Sequence, residues 1–144
     1  MEPIIWEHKD IWSTREDNFT VTVERFTRKP IDQRGIHRWC VYLYVYPTHP
    51  LFKQVNPSVG SSIQPHDERF NAIPFHGGCT FAELHVYPDG EMVTSIQIGA
   101  DYNHYGDERF THMPTEETAR EVFHDAETLV AWAKAYRWDE RTDR

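Results

Sequence analysis

The sequence predicts an α+β fold: an antiparallel β-sheet of about four to five strands with a long C-terminal helix packed across it. Three stretches carry that expectation. "RWCVYLYVYP" (38–47) alternates with the two-residue period of a strand, "CTFAELHVY" and "EMVTSIQIG" flank a "PDG" turn at 88–90, and residues 114–138 space their apolar side chains as a helix does. The 144 residues fit one domain, 1–144, with residues 1–37 as an N-terminal extension carrying one strand, 38–137 as the core and 138–144 as a frayed tail.

In the extension, "FTVTVERFT" (19–27) alternates Phe19, Val21 and Val23 with threonines, the pattern of a half-buried strand. A turn-rich stretch with Pro30 and Gly35 follows. In the next strand Trp39, Val41, Leu43 and Val45 share one face, and Cys40, Tyr42, Tyr44 and Tyr46 the other. Both faces are apolar or amphipathic, which places the strand inside the sheet. Residues 47–74, with "NPSVGSSIQPHDERFN" bearing Pro, Ser and Gly, read as a long loop with a short helical turn at "HPLFKQ", either a binding lid or a mobile surface excursion.

The hairpin comes next. Pro88 presets one φ, Asp89 closes the turn and Gly90 takes positive φ. Pairing Tyr87 with Glu91 across a three-residue turn puts Cys79 opposite Gly99. It also turns Ala82, Leu84 and Val86, and opposite them Met92, Thr94, Ile96 and Ile98, inward. The closing helix, 115–137, then buries Val122, Ala126, Leu129, Val130 and Ala133. Thr118 with Glu121 makes a capping box, and Thr115 after Pro114 is an equally good start. Glu116 and Glu117 suit the helix N-terminus, Lys134 and Arg137 its C-terminus. The tetrapeptide "DERF" recurs at 67–70 and 107–110 without matching flanks and is read as coincidence.

A formal net charge of −8 speaks against non-specific nucleic-acid binding, which needs a basic face to replace counterions at phosphates. The same charge suits an encounter with a basic protein. Two cysteines make no disulfide framework, "MEPIIWEHKD" lacks the basic start and apolar run of a signal peptide, and no window approaches the ~20 apolar residues of a membrane helix. The expectation is a soluble cytoplasmic protein with free thiols and no membrane partner. Arg25, Arg28, Lys29, Arg34 and Arg38 are read as a solvated basic face, and Tyr42, Tyr44 and Tyr46 as sheet packing rather than a base-stacking platform.

The hairpin register brings two polar, glycine-bearing segments to one place, "HGG" (76–78) before the first strand and "GADYNHYGD" (99–107) after the second. His76, Cys79, Asp101, Tyr102, Asn103, His104 and Asp107 gather there. Read as metal ligands, His76, Asp101, His104 and Asp107 supply imidazole and carboxylate groups that a divalent metal accepts, but with neither HExxH nor paired CxxC spacing. Read as an acid/base or nucleophilic centre, His104 is oriented by Asp101 or Asp107, and Cys79 needs a lowered pKa to react. Read as a binding site, Gly77 and Gly78 let the backbone approach an anion. Thr80, Asp101, Asn103, His104 and Asp107 then join His76 around a small polar ligand. Against all three stands a plain turn, with Asp101 and Asn103 as ordinary turn residues.

With "HGG-x-T" (76–80) and "G-x-D-x-x-H-x-G-D" (99–107) the chain resembles a group of small uncharacterised phage and prophage proteins, from about residue 38 into the final helix. His76, Gly77, Gly78, Thr80, Gly99, Asp101, His104, Gly106 and Asp107 match that group's pattern. Cys79 stands where the group usually has an aliphatic residue, and Tyr102 where cysteine is common, which speaks against a mechanism that needs Cys79. The resemblance implies a phage accessory context, in which small acidic proteins often counter host defences, and carries no activity with it.

The expected function is therefore that of a phage accessory protein of the host cytoplasm, with a loop-built pocket for a small polar ligand such as a nucleotide. The pocket binds this ligand or goes on to process it. The rival expectation is an acidic inhibitor that docks on a host protein without pocket chemistry, supported by the net charge and the acidic stretch from Asp101 onward. Enzymatic activity and homo-oligomer formation stay open at this level.

Overall fold

The computed structural model describes residue 4, residues 6–30 and residues 33–140. Among them five strands, β1 (Lys9–Arg15), β2 (Phe19–Thr27), β3 (His37–Val45), β4 (Phe81–Val86) and β5 (Val93–Asp101), form one antiparallel sheet in the order β1-β2-β3-β5-β4. A short helix α1 (Pro50–Val55) and a long helix α2 (Arg120–Ala135) complete the α+β fold. Among the described residues no helix is long and apolar enough to cross a membrane.

The alternation of β3 organises the core. Trp39, Val41, Leu43 and Val45 are each at most 3% exposed. They stand beside Val23, Val21 and Phe19 of β2 on one side and Ala100, Ile98 and Ile96 of β5 on the other. Helix α2 covers this face by laying Val122, Ala126, Leu129 and Ala133 against β2 and β3. The connection between β3 and β4 joins the same core through Leu51, Phe70, Ile73 and Phe75. Both ends of the connection are thereby anchored, because their scattered apolar residues have a place to bury, while residues 56–69 between them hold no buried side chain.

His49 ties the two covers together. It is fully buried, and its Nδ1 accepts the Leu51 N–H at 3.0 Å, capping α1. The proton must then sit on Nε2, which donates to the Ala133 carbonyl near the end of α2 at 2.9 Å. Burial lowers the proton affinity of this imidazole more than the Ala133 bond raises it, so His49 stays neutral.

Several sequence expectations are corrected. Among the described residues before β3 there are two strands rather than the one expected. β1 shows little periodicity because it is an edge strand, with Ile11 57% exposed. The hairpin turn is longer than three residues: Tyr87 N–H bonds Met92 O at 2.9 Å, and Asp89 Oδ1 accepts the Glu91 N–H at 3.0 Å. The register moves accordingly, so that Phe81 rather than Cys79 faces Gly99, with an irregularity between His85 and Val86. Val86 and Met92 consequently stand exposed at the edge while Ile96 and Ile98 stay buried. Helix α2 starts at Arg120 rather than 115 and has no side-chain cap, because Thr115 and Thr118 close a turn on each other's hydroxyls.

The basic stretch is only partly solvated. Arg25 and Arg38 are buried, Arg25 bonding Asp10, His8 and His37, and Arg38 donating to the carbonyls of Gly35 and His37. The expected frayed tail falls in part on residues 141–144, outside the described set, as do residues 31 and 32 of the turn-rich stretch.

On the sheet face away from α2 the tyrosines pack the sheet as expected. Tyr46 Oη pairs with Thr20 Oγ1 at 2.8 Å, and the Tyr42 ring lies across Gly99 to meet Phe81 edge-on. A Cβ at position 99 would meet that ring and come within 2.6 Å of Val41 O. Gly99→Val is expected to cost about 1–3 kcal/mol, read as a lower urea midpoint at unchanged m. His49 generates a pH prediction. Its proton affinity is lower in the folded than in the unfolded state, so its stabilising contribution is complete above the ordinary value of 6.5 and is lost as pH falls below it. The wild-type Tm should drop more between about pH 7 and pH 5 than that of His49→Gln. Equal slopes would rule out a His49 contribution.

Candidate functional site

At the end of the sheet where β3 begins and β5 ends, two segments meet. The first, residues 75–80, leads into β4 and is fixed by the Thr80 N–H bond to Gly99 O at 2.8 Å. The second, residues 102–113, leaves β5. Trp39 holds both of its ends: Tyr102 N–H donates to the Trp39 carbonyl at 3.0 Å, and the Trp39 indole Nε1–H donates to Met113 O at 2.9 Å. In between, a 3-10 turn (Glu108–His112) packs against Gly35, whose N–H donates to Thr111 Oγ1 at 2.7 Å. A Cβ on Gly35 would collide with the Thr111 carbonyl, so the close approach depends on glycine.

Asp107 is the centre of the site and is 6% exposed. His76 Nε2 lies 2.9 and 3.0 Å from its two carboxylate oxygens. The His104 backbone N–H donates to Oδ2 at 2.9 Å, and His104 Nδ1 lies 3.2 Å from the same oxygen. Burial alone would raise the Asp107 proton affinity. The hydrogen bonds from His76 and from the His104 backbone outweigh it and hold the carboxyl below its ordinary value. One carboxylate thus draws in the imidazole of its own loop and that of His76, 31 residues earlier in the chain.

The aromatic setting fixes His76. Tyr102, 1% exposed, stacks on its ring at 4.3 Å and 12°, and Phe110 meets it edge-on at 5.6 Å. The Tyr102 hydroxyl donates to Asp125 Oδ2 on α2 at 2.6 Å, and burial followed by this bond pushes the phenol far above its ordinary range. Tyr102 therefore serves as a neutral plate and donor. Sequence reading placed Tyr102 in the loop but missed its role, and missed Asp125 and Phe110 altogether. Asp125 lies among Glu121, His124 and Thr128 on the helix, so nothing in its local sequence marked it out.

The other predicted residues are placed differently. Asp101 is half-exposed, caps the Asn103 N–H at 3.0 Å and stands 3.9 Å from His104 Nδ1, outside the tight group. Asn103, Gly78 and Thr80 are exposed. Gly78 takes φ +91 with open space where a Cβ would be, so it acts as a turn residue. Cys79 directs its thiol to Phe81 O at 3.3 Å, and burial pushes its pKa up, opposite to what a nucleophile needs.

Gly77 is the glycine that shapes the centre. It has φ +70, and a Cβ there would stand 3.0 Å from His104 Cε1. Gly77→Ala is expected to cost about 1 kcal/mol and to displace the His104 ring, seen as a shifted His104 imidazole resonance. Gly78→Ala should share the backbone cost and leave that resonance in place.

No family model, curated protein or solved structure matches this chain.

Proposed function

We propose that the protein binds one divalent transition-metal ion through His76 Nε2, His104 Nδ1 and an Asp107 carboxylate oxygen. The observation that supports this reading is that one ligand atom from each of the three residues lies within 4.8 Å of the other two. Two imidazoles and a carboxylate suit zinc and its first-row neighbours, and three protein ligands leave coordination positions open.

The surroundings favour a preset site. The His104 N–H held by Asp107 orients the carboxylate, and the Tyr102 plate, itself held by Asp125, limits rotation of His76. The cleft beside this centre, bounded by Arg34, Tyr102, Asn103, His104, Asp107, Glu108 and Thr111 but not by His76, holds only about 10 Å³. That is the volume of a single ion or water rather than of a nucleotide. A small polar ligand of the kind expected from the sequence would then reach the ion from outside, at its open positions. A metal at these atoms competes with protons for the imidazole nitrogens, so binding should weaken in acid.

Titration of the purified chain with Zn²⁺ or Co²⁺ tests the reading. One ion per chain is expected, with His76→Ala, His104→Ala and Asp107→Asn each weakening binding by at least about tenfold. Cys79→Ser should leave both affinity and the Co²⁺ visible spectrum unchanged. Saturating metal should also raise the Tm of the wild type and not of the variants. A folded wild type that takes up neither ion, or variants that bind as well as the wild type, would overturn the proposal.

A further inference from the structure

A groove runs along the flank of α2 beside the edge strand β1. In its lower part, of about 310 Å³, the floor is apolar: Trp12, Val21, Val23, Phe123, Ala126 and Val130. Trp12 stacks on Trp39 at 5.6 Å and meets Phe123 edge-on at 5.2 Å, so the floor is rigid and aromatic. Toward the start of α2 the groove widens into a depression of about 440 Å³, rimmed by Glu116, Glu117, Glu121 and Glu127 together with Arg120 and His124. Glu116, Phe123 and Glu127 line both parts, which makes them one continuous channel. Glu121 is paired with Arg109 at 2.9 Å, whereas among the described residues no ion pair compensates Glu116, Glu117 or Glu127.

The strand beside this channel has an open edge. Thr27 N–H bonds His8 O, and Glu16 N–H bonds Phe19 O, so the even-numbered residues of β1 turn their backbone groups toward β2. By the antiparallel alternation Ile11 and Ser13 turn their N–H and C=O outward, where among the described residues no strand pairs with them. A strand laid against this edge would send alternate side chains to the α2 side, over Trp12 and Phe123 and beneath the glutamates.

We propose that β1 and the channel together receive a basic, extended segment of another protein, added as a strand beside β1. Its backbone pairs with Ile11 and Ser13, its apolar side chains lie on Trp12 and Phe123, and its Lys or Arg residues meet Glu116 and Glu127. Charge complementarity selects this occupant. The acidic rim repels nucleic-acid phosphate, and a second copy of a chain with formal charge −8 approaches it against like charge. The surface is separate from the His–Asp centre, so the two proposals stand or fall independently.

Fluorescence anisotropy with the full chain and a labelled twelve-residue peptide of Lys-Thr-Val-Thr repeats, which turns its Lys and Val to the same face of a strand, tests the proposal, with an Asp-Thr-Val-Thr peptide of the same length as control. The Lys peptide is expected to bind and the Asp peptide not. Reversing the rim with Glu116→Lys and Glu127→Lys together should weaken binding by at least about tenfold. Ser13→Pro should do the same with the circular-dichroism spectrum intact, because the N–H it removes points away from β2. The same Lys peptide N-methylated at every residue, with no N–H left to pair along either edge, should lose affinity equally against the unmutated chain. Equal binding of both peptides, full affinity of the reversed rim or of the N-methylated peptide, or a dimer of the free protein that occupies the β1 edge would each overturn the inference.

Discussion

Trp39 is the residue on which the site depends. Its side chain is wholly buried in the face covered by α2, and its carbonyl and indole N–H grip the two ends of the 102–113 segment. A loop whose ends are fixed to one residue of a central strand loses most of its closure entropy before any ligand arrives. The same bonds set the height at which Tyr102 enters the core, and Tyr102 in turn sets the plane of His76. Core packing and site geometry are therefore one problem in this fold. A substitution that moves Trp39 moves the histidines as well.

The fold was legible where burial is one-sided and regular. In β3 the alternation of Trp39, Val41, Leu43 and Val45 is complete, and each side chain is buried as the pattern required. Helix α2 was equally plain from Val122, Ala126, Leu129 and Ala133. β1 was not legible, because an edge strand buries one face poorly and "KDIWSTR" has too few apolar residues to show a period. The anchoring of the long connection was hidden for another reason. Leu51, Phe70, Ile73 and Phe75 have no common spacing, and only the finished core shows that they share a destination.

The site was legible as a place before it was legible as a geometry. The hairpin joined "HGG" to "GADYNHYGD" although its register was two residues off, because strand pairing brings the ends of both segments together under either register. Which residues then touch was beyond the pattern. Asp101 and Asp107 look equivalent beside His104 in the sequence, yet Asp107 turns inward ahead of the 3-10 turn while Asp101 remains a turn cap. The contribution of Asp125 comes from a helix docked across the sheet, a contact between residues that no local spacing records.

The stacked pair of Trp12 and Trp39 has an optical consequence. Two indoles 5.6 Å apart and inclined by 21° are close enough for their transition dipoles to couple, so they absorb as a pair rather than singly. Trp12 belongs to the outermost strand and Trp39 to the residue that grips the histidine loop. The exciton signal of this pair in circular dichroism would thus depend on both regions at once, and events at the sheet margin and at the His–Asp centre share one chromophore.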